Sequence, residues 1–265
     1  MSVLSALRLV QLTDLHLFAD GEYQLLGLPT TESFQAVLHQ VSLLQPQPNL
    51  LLLTGDLSQD GKPESYKRLH TALQLLGYST YWLPGNHDRL LEMEECLAGG
   101  VISAQKSFQI GGWHFILLNS QVPGCVHGQL TGETLEWLEH QLNLAGELPT
   151  LVSLHHPPFT VGSDWLDSST LQNPEALFTL LDQYPQVKLV LFGHIHQEYS
   201  RIRRGVQYLG TPSTSIQFEP YSSLFALDEE QPGFRILDLY PDGNWWTTVV
   251  RSGYVSKCDL AATGY

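Results

Sequence analysis

Basic residues are scarce in this chain: 13 lysines and arginines stand against 27 aspartates and glutamates, a formal net charge of −14. That balance disfavours a basic surface for nucleic acid or anionic membrane. It leaves room for a small phosphate substrate, because bound metal ions supply local positive charge. Cysteine is scarcer still. Cys96, Cys125 and Cys258 are an odd number with no C-x-x-C spacing, so no disulfide framework is expected, and a reducing cytosol fits. No run of 18 or more apolar residues occurs, so no membrane span is expected. The start MSVLSALRLVQL is apolar but has no positively charged leader and no clear cleavage site. It reads as the lead-in to a first strand and not as a signal peptide. Repeats, low-complexity tracts and long linkers are missing too, and 265 residues suit one α/β domain spanning the chain.

What the chain does have is a set of polar segments at the ends of apolar runs. Asp14-Leu15-His16 follows LRLVQL, and Gly55-Asp56 follows LLLLT. Gly85-Asn86-His87-Asp88 follows TYWLP, His155-His156 follows LVSL, and Gly193-His194-Ile195-His196 follows VKLVLF. In open α/β sheets, ligands bind beyond the carboxyl ends of the strands, so these five segments can converge. Side chains of Asp, Asn and His without Cys make an oxygen/nitrogen site for divalent metal. The donors outnumber the positions around one ion, which points to two. Paired ions ~3.5–4 Å apart are the apparatus of phosphoester hydrolysis. Taken singly, each segment says little: Asp-x-His is more often a turn or cap, Gly-Asp is a common turn, and His-x-His suits a polar strand edge.

The pattern between these segments is alternating. Strands ending at Thr13, Thr54 and Leu83 are separated by helices near Thr31–Leu44, stopped by Pro46 and Pro48, and Pro63–Leu76, closed by Gly77. This β-α-β-α-β order predicts a mostly parallel sheet. KSFQIGGWHFILLNS reads as a hairpin turning at Gly111-Gly112, and Thr131 as the cap of a helix reaching Asn143. Strands ending at His155 and His194 flank a helix near Pro174–Tyr184. Beyond His196, EYSRIRRG, VQYLG, FRILDLY and WWTTVV are strand-like, so two sheets with flanking helices are expected.

The order D-x-H, G-D, G-N-H-D, H-H-P-P and G-H-x-H resembles the calcineurin-like metallophosphoesterases. The segments QLTDLHLFA, LLGLPTTESFQAVL, TGDLSQDGKPESY, WLPGNHD, LNSQVPGCVHGQLTGETLEWLE, GHIHQE and TPSTSIQFEP are similar to one subfamily, the bacterial class III 3′,5′-cyclic AMP phosphodiesterases. The resemblance runs from about Leu9 to the Thr-Gly-Tyr end. It implies an α/β fold, a four-layer α/β/β/α sandwich. It implies Asp14, His16, Asp56 and His196 for one ion, and Asp56, Asn86, His155 and His194 for the other, with Asp56 as the bridge. Within His155-His156-Pro157 it selects His155 as the ligand, leaving His156 to face the substrate or support the site. Fe²⁺ or Mn²⁺, with Zn²⁺ as a further option, suit this donor set.

The expected reaction is hydrolysis of 3′,5′-cyclic AMP to 5′-AMP by a hydroxide that the ions generate from water. His87, oriented by Asp88, is the candidate acid for the leaving oxygen. The substrate side would draw on His16, Asn86, His87, His127 and His156, with the Phe18–Pro29 loop and TPSTSIQFEP shaping the pocket. Phe218 or Trp165 would either stack on a base or belong to the core. Arg8, Arg68, Arg201, Arg203 and Arg204 read as solvated surface, and Trp245-Trp246 as sheet packing. Other readings are a metallophosphodiesterase for glycerophosphodiesters or 2′,3′-cyclic nucleotides, and a metal-stabilised binding module without activity. The expected partner is a small nucleotide, not a nucleic-acid polymer or a membrane; the oligomeric state, homodimer included, is left open.

Overall fold

A computed structural model describes residues 5–255 and 257–264. The first four residues of the apolar start lie outside them; the first strand begins at Leu7. Two six-stranded sheets form the molecule. The first runs Trp245–Arg251, Gly233–Leu239, Leu7–Leu12, Leu50–Thr54, Ser79–Leu83 and Ile102–Ser103 across its width. The second runs Tyr199–Arg203, Val206–Gly210, Val187–Phe192, Thr150–Ser153, Trp113–Leu117 and Ser107–Ile110. Leu7–Leu12, Leu50–Thr54 and Ser79–Leu83 are parallel neighbours, as are Trp113–Leu117, Thr150–Ser153 and Val187–Phe192. Antiparallel hairpins finish three of the outer edges, and Ile102–Ser103 pairs in parallel with Ser79–Leu83 at the fourth.

Alternation in the strands builds the layers. Leu7, Leu9, Leu50 and Leu52 point into the gap between the sheets, where they meet Phe115, Leu151, Leu189 and Leu191. The intervening Val10, Leu12, Leu51 and Leu53 face outward and pack against Phe34, Val37, Tyr66, Leu69 and Met93. These last belong to helices Thr30–Ser42, Pro63–Leu76 and Leu90–Cys96. On the far side, Ile116, Val152 and Val190 pack against Leu138 and Leu142 of Gly132–Ala145 and Leu177 and Phe178 of Pro174–Leu181. Strands buried on both faces read as continuous apolar runs, which is why LLLLT carries no polar alternation. The result is the four-layer α/β/β/α sandwich.

Local signals act where expected. Pro63 opens its helix and Gly77, with φ 82°, closes it. Thr131 Oγ1 accepts from the Thr134 amide at 3.1 Å. Gly111 and Gly112 both take positive φ at the hairpin turn. The sequence reading did not include helix Leu90–Cys96, nor the two-residue hairpin Gln24–Leu25/Leu28–Pro29 inside the Phe18–Pro29 loop. The arginines are not all merely solvated: Arg8 pairs with Asp238, Arg203 and Arg204 both reach Asp182, and Arg201 lies over Phe159. Trp245 packs into the inter-sheet core, while Trp246 is exposed.

Candidate metal centre

The parallel strands of each sheet end on one edge, and the polar segments that follow them meet there. Asp14, His16, Asp56, His194 and His196 all have φ between 49° and 69°. They are five of the eight non-glycine residues in the left-handed region among the described residues. Such backbone costs of order 1–3 kcal/mol per residue and concentrates where a site dictates geometry. Two glycines permit the approach. A Cβ on Gly85 would collide with the Asp56 carboxylate and amide, and one on Gly193 with Thr13 Oγ1 and the Asp14 carboxylate.

The donors cluster tightly. His196 Nε2 lies 3.3 Å from Asp14 Oδ1 and 3.2 Å from His16 Nε2. Asp56 Oδ2 lies 3.2 Å from His155 Nε2 and 4.0 Å from His16 Nε2, so one oxygen faces both groups. Asp56 Oδ1 accepts from the His87 amide at 2.8 Å, which fixes the carboxylate. Asp14 also accepts from the His194 amide, tying the first sheet's strand end to the second's.

Each histidine's other nitrogen is engaged behind the site. His155 Nδ1–H donates to the Thr54 carbonyl at 2.8 Å and His196 Nδ1–H to the Ile216 carbonyl at 2.8 Å. His16 Nδ1 pairs with Gln59 Oε1 at 2.6 Å, and Ser169 Oγ with His194 Nε2 at 2.9 Å. This turns Nε2 of the first three, and Nδ1 of His194, inward, the arrangement in which metal-bound imidazoles are held. Burial holds the His16 imidazole down at about 3 and His194 well below the ordinary histidine range, so both stay neutral. Burial alone would raise Asp14 and Asp56, but the surrounding histidines outweigh it and keep both carboxyls ionised. Burial would likewise lower His155; the Asp56 carboxylate instead lifts it to about 9, so positive charge is drawn to this point. Asn86 Oδ1 is buried without a hydrogen-bond partner, and His155 Nε2 makes no aligned hydrogen bond despite its closeness to Asp56. Ionised carboxylates, imidazoles with one nitrogen turned inward and an orphaned carbonyl oxygen are the donor chemistry of a dinuclear divalent-metal site.

The remaining expected residues fall on the rim and behind it. His87 is half-buried, its ring edge-on to His16 with centroids 5.0 Å apart. Asp88 was expected to orient His87. Its buried carboxylate accepts from the amides of Leu57, Ser58 and Gly85 and from the Tyr66 hydroxyl, which pins the two metal loops together. Burial raises that carboxyl to about 6. His156 is fully buried; Nε2–H donates to the Val126 carbonyl and Nδ1 accepts from Ser120 Oγ. Those bonds give it a supporting place. His127 is half-buried between Val126 and Gly128, which both touch His156, so the Gly-rich loop does border the centre. Phe218 is 1% exposed and stacks on His196 at 4.0 Å, with Trp165 edge-on behind it. Of the two readings of Phe218, the burial and stacking favour the core one, in which it braces a proposed ligand. Gln59, Ser169 and Ser120 escaped the sequence reading, since nothing in their type or spacing distinguishes them from loop residues.

Comparison with known proteins agrees with this geometry. Residues 7–198 match the calcineurin-like phosphoesterase family. A 3′,5′-cyclic-nucleotide phosphodiesterase of Nostoc sp. is 53% identical over 93% of this chain and 92% of its own. The 3′,5′-cyclic adenosine monophosphate phosphodiesterase CpdA of Pseudomonas aeruginosa is 43% identical over 97% of this chain and 94% of its own. Among solved structures, a purple acid phosphatase from yellow lupin superposes with a TM-score of 0.70 at 16% identity, covering 96% of this chain and 53% of that one. A dimetal phosphatase from Danio rerio gives 0.58 at 15% identity, covering 93% and 99%. At those identities the likeness is one of fold.

Proposed function

Since the chain belongs to the calcineurin-like phosphoesterase family, we propose that it is a metal-dependent phosphodiesterase that hydrolyses 3′,5′-cyclic AMP to 5′-AMP. The observation that carries the substrate is the extent of similarity. Relatives named for cyclic-nucleotide hydrolysis match over 93–97% of the chain, a length that cannot be confined to the metal motifs. It takes in the strand-end loops, where α/β enzymes set substrate choice.

Asp14, His16, Asp56 and His196 would hold one divalent ion, and Asp56, Asn86, His155 and His194 the other. Fe²⁺ or Mn²⁺ are the favoured ions, with Zn²⁺ also compatible with the donors. Such ions neutralise phosphoryl oxygens and acidify water. The chain's own residues do the rest. Asn86 and His16 place the phosphate between the two donor groups. His87, anchored through its amide on Asp56, presents its imidazole to the leaving 3′-oxygen and supplies the proton that an alkoxide of high pKa requires. Asp88 keeps the Gly85–His87 loop against Asp56 through backbone bonds, and His127 closes the phosphate side.

Competition kinetics on metal-loaded enzyme, with products separated chromatographically, test this. The expected result is 5′-AMP from 3′,5′-cyclic AMP at a higher kcat/KM than for 2′,3′-cyclic AMP or a glycerophosphodiester. A glycerophosphodiester turned over faster than 3′,5′-cyclic AMP would overturn the substrate.

A further inference from the structure

The gap between the two sheets changes character along its length. Far from the metal centre it is filled by leucines such as Leu7, Leu50, Leu189 and Leu239. Towards the strand ends, the same inward rows continue as Gln11, Thr54, Thr211 and Arg235, all 2% exposed or less. They form one chain of hydrogen bonds. Gln11 Nε2 donates to Thr54 Oγ1 at 2.9 Å and, across the gap, to the Phe192 carbonyl at 3.1 Å. Thr211 Oγ1 donates to Gln11 Oε1 at 2.6 Å. Arg235 donates to Thr211 Oγ1 at 3.1 Å, to the Gly210 carbonyl at 2.8 Å and to Thr247 Oγ1 at 3.2 Å. Among the described residues, no carboxylate pairs with this guanidinium.

A buried permanent charge is a costly filling for a gap that leucine fills below it. Its geometry suggests what offsets the cost. Gln11, Thr54 and Arg235 belong to the first sheet, whereas Phe192 and Gly210 belong to the second and Thr211 directly follows its strand Val206–Gly210. Thr54 immediately precedes Gly55-Asp56, and Phe192 precedes Gly193-His194. The network thus clamps the two strand ends from which opposite halves of the centre project. Apolar contact is non-directional and tolerates small slides between sheets; hydrogen bonds fix distance and angle.

We propose that Arg235, Thr211 and Gln11 are positioning residues that set the offset between the two sheets, and with it the spacing of the ligands contributed by each. The inference rests on the two-metal reading above.

Thr211→Val keeps the side chain's shape and removes the hydroxyl that links Arg235 to Gln11. In metal-stripped protein titrated with Mn²⁺, its affinity falls ~10–100-fold, as for other residues that orient ligands. The spin-coupled signal of a Mn²⁺ pair in electron paramagnetic resonance weakens with it. Thr211→Ser restores both. Leu239→Ala, equally buried in the apolar part of the gap, lowers the melting temperature but leaves Mn²⁺ affinity and coupling intact. Unaltered affinity and coupling in Thr211→Val would overturn the proposal. So would an equal loss in Leu239→Ala, which would reduce the network to general packing. If Thr211→Val does not fold, Gln11→Leu carries the same expectations. Wild-type protein that binds no Mn²⁺ pair removes the two-metal reading and this inference together; a normal wild-type pair with an unaffected Thr211→Val removes the inference alone.

Discussion

The ring of proposed metal donors and the rim around it are built to different standards. In the ring, Asp14, His16, Asp56, His155, His194 and His196 are buried, and four imidazoles are each braced from behind. On the rim, His87 and His127 are half-buried, and Val126, Tyr221 and Leu224 in the flanking loops are exposed. Metal affinity needs several donors held to fractions of an ångström, which only packed strand ends provide. Substrate choice needs surfaces that can differ without disturbing those donors, and loops provide them. Damage to the ring should therefore remove metal and rate together. Damage to the rim should remove rate selectively and leave the metal in place.

The largest expected effect breaks the ring at its centre. Asp56 faces both donor groups, so Asp56→Ala should lose both ions, and activity should drop by more than the ~10²–10⁴-fold that one proton donor contributes. Metal analysis showing two ions per chain in that variant would contradict the bridging assignment. Next, on the rim, His87→Ala should keep its metal and lose ~10²–10⁴-fold on cyclic AMP, but far less on bis(p-nitrophenyl) phosphate, whose leaving group needs no proton. An equal fractional loss on both substrates would speak for phosphate binding and against proton donation. A smaller effect probes the bracing. Gln59→Leu leaves His16 Nδ1 without its acceptor, and metal affinity should fall ~10–100-fold by titration; unchanged affinity would show that His16 needs no such brace.

The smallest effect separates the frame from the ring. Lys106 Nζ donates to the carbonyl of Trp82, in the strand that delivers Asn86, and burial lowers the amine from 10.5 to about 7. The folded state therefore binds fewer protons than the unfolded chain between pH 7 and 10.5. Through that window Lys106 contributes a rise in stability with pH of at most ~1.4 kcal/mol per pH unit, against which His155, lifted from 6.5 to about 9, contributes a fall between those two values. Arg235, lowered by burial only to about 10, stays charged over most of that range. Between pH 7 and 9, denaturant melts should show a more positive change in stability in wild type and in Arg235→Met than in Lys106→Met, since all three carry the same His155 contribution. An identical pH 7 to 9 change in Lys106→Met and wild type would show that Lys106 does not contribute.

Much of this was readable from residue order. Apolar runs such as LLLLT and VKLVLF are long enough to be strands and too uniform to be half-exposed ones, and helices between them force parallel order. Polar residues after such runs must sit at one sheet edge, so the five segments around Asp14, Asp56, Asn86, His155 and His194 were legible as a group, while the resemblance singled out Asp14, His16, Asp56, Asn86, His155, His194 and His196 among them as proposed ligands. The supporting residues were not. Gln59 and Ser169 reach the site from loops that no periodicity describes, and Asp88 looks in sequence like a partner of its neighbour His87 although its carboxylate accepts from the amides of Leu57 and Ser58, 31 and 30 residues away. Phe218 could as well have stacked on a base as on His196, because an aromatic in a loop carries no sign of which face is covered.

The sequence by itself determined the strand-end placement of the polar segments and the layered alternation, because these depend on residue type and on spacing along one strand. Tertiary structure alone decided which nitrogen of each imidazole points inward, which polar side chains brace the ring, and how the two sheets are offset. Those depend on hydrogen bonds between segments up to 200 residues apart, such as Gln11 with Thr211, and no local pattern encodes a partner at that distance.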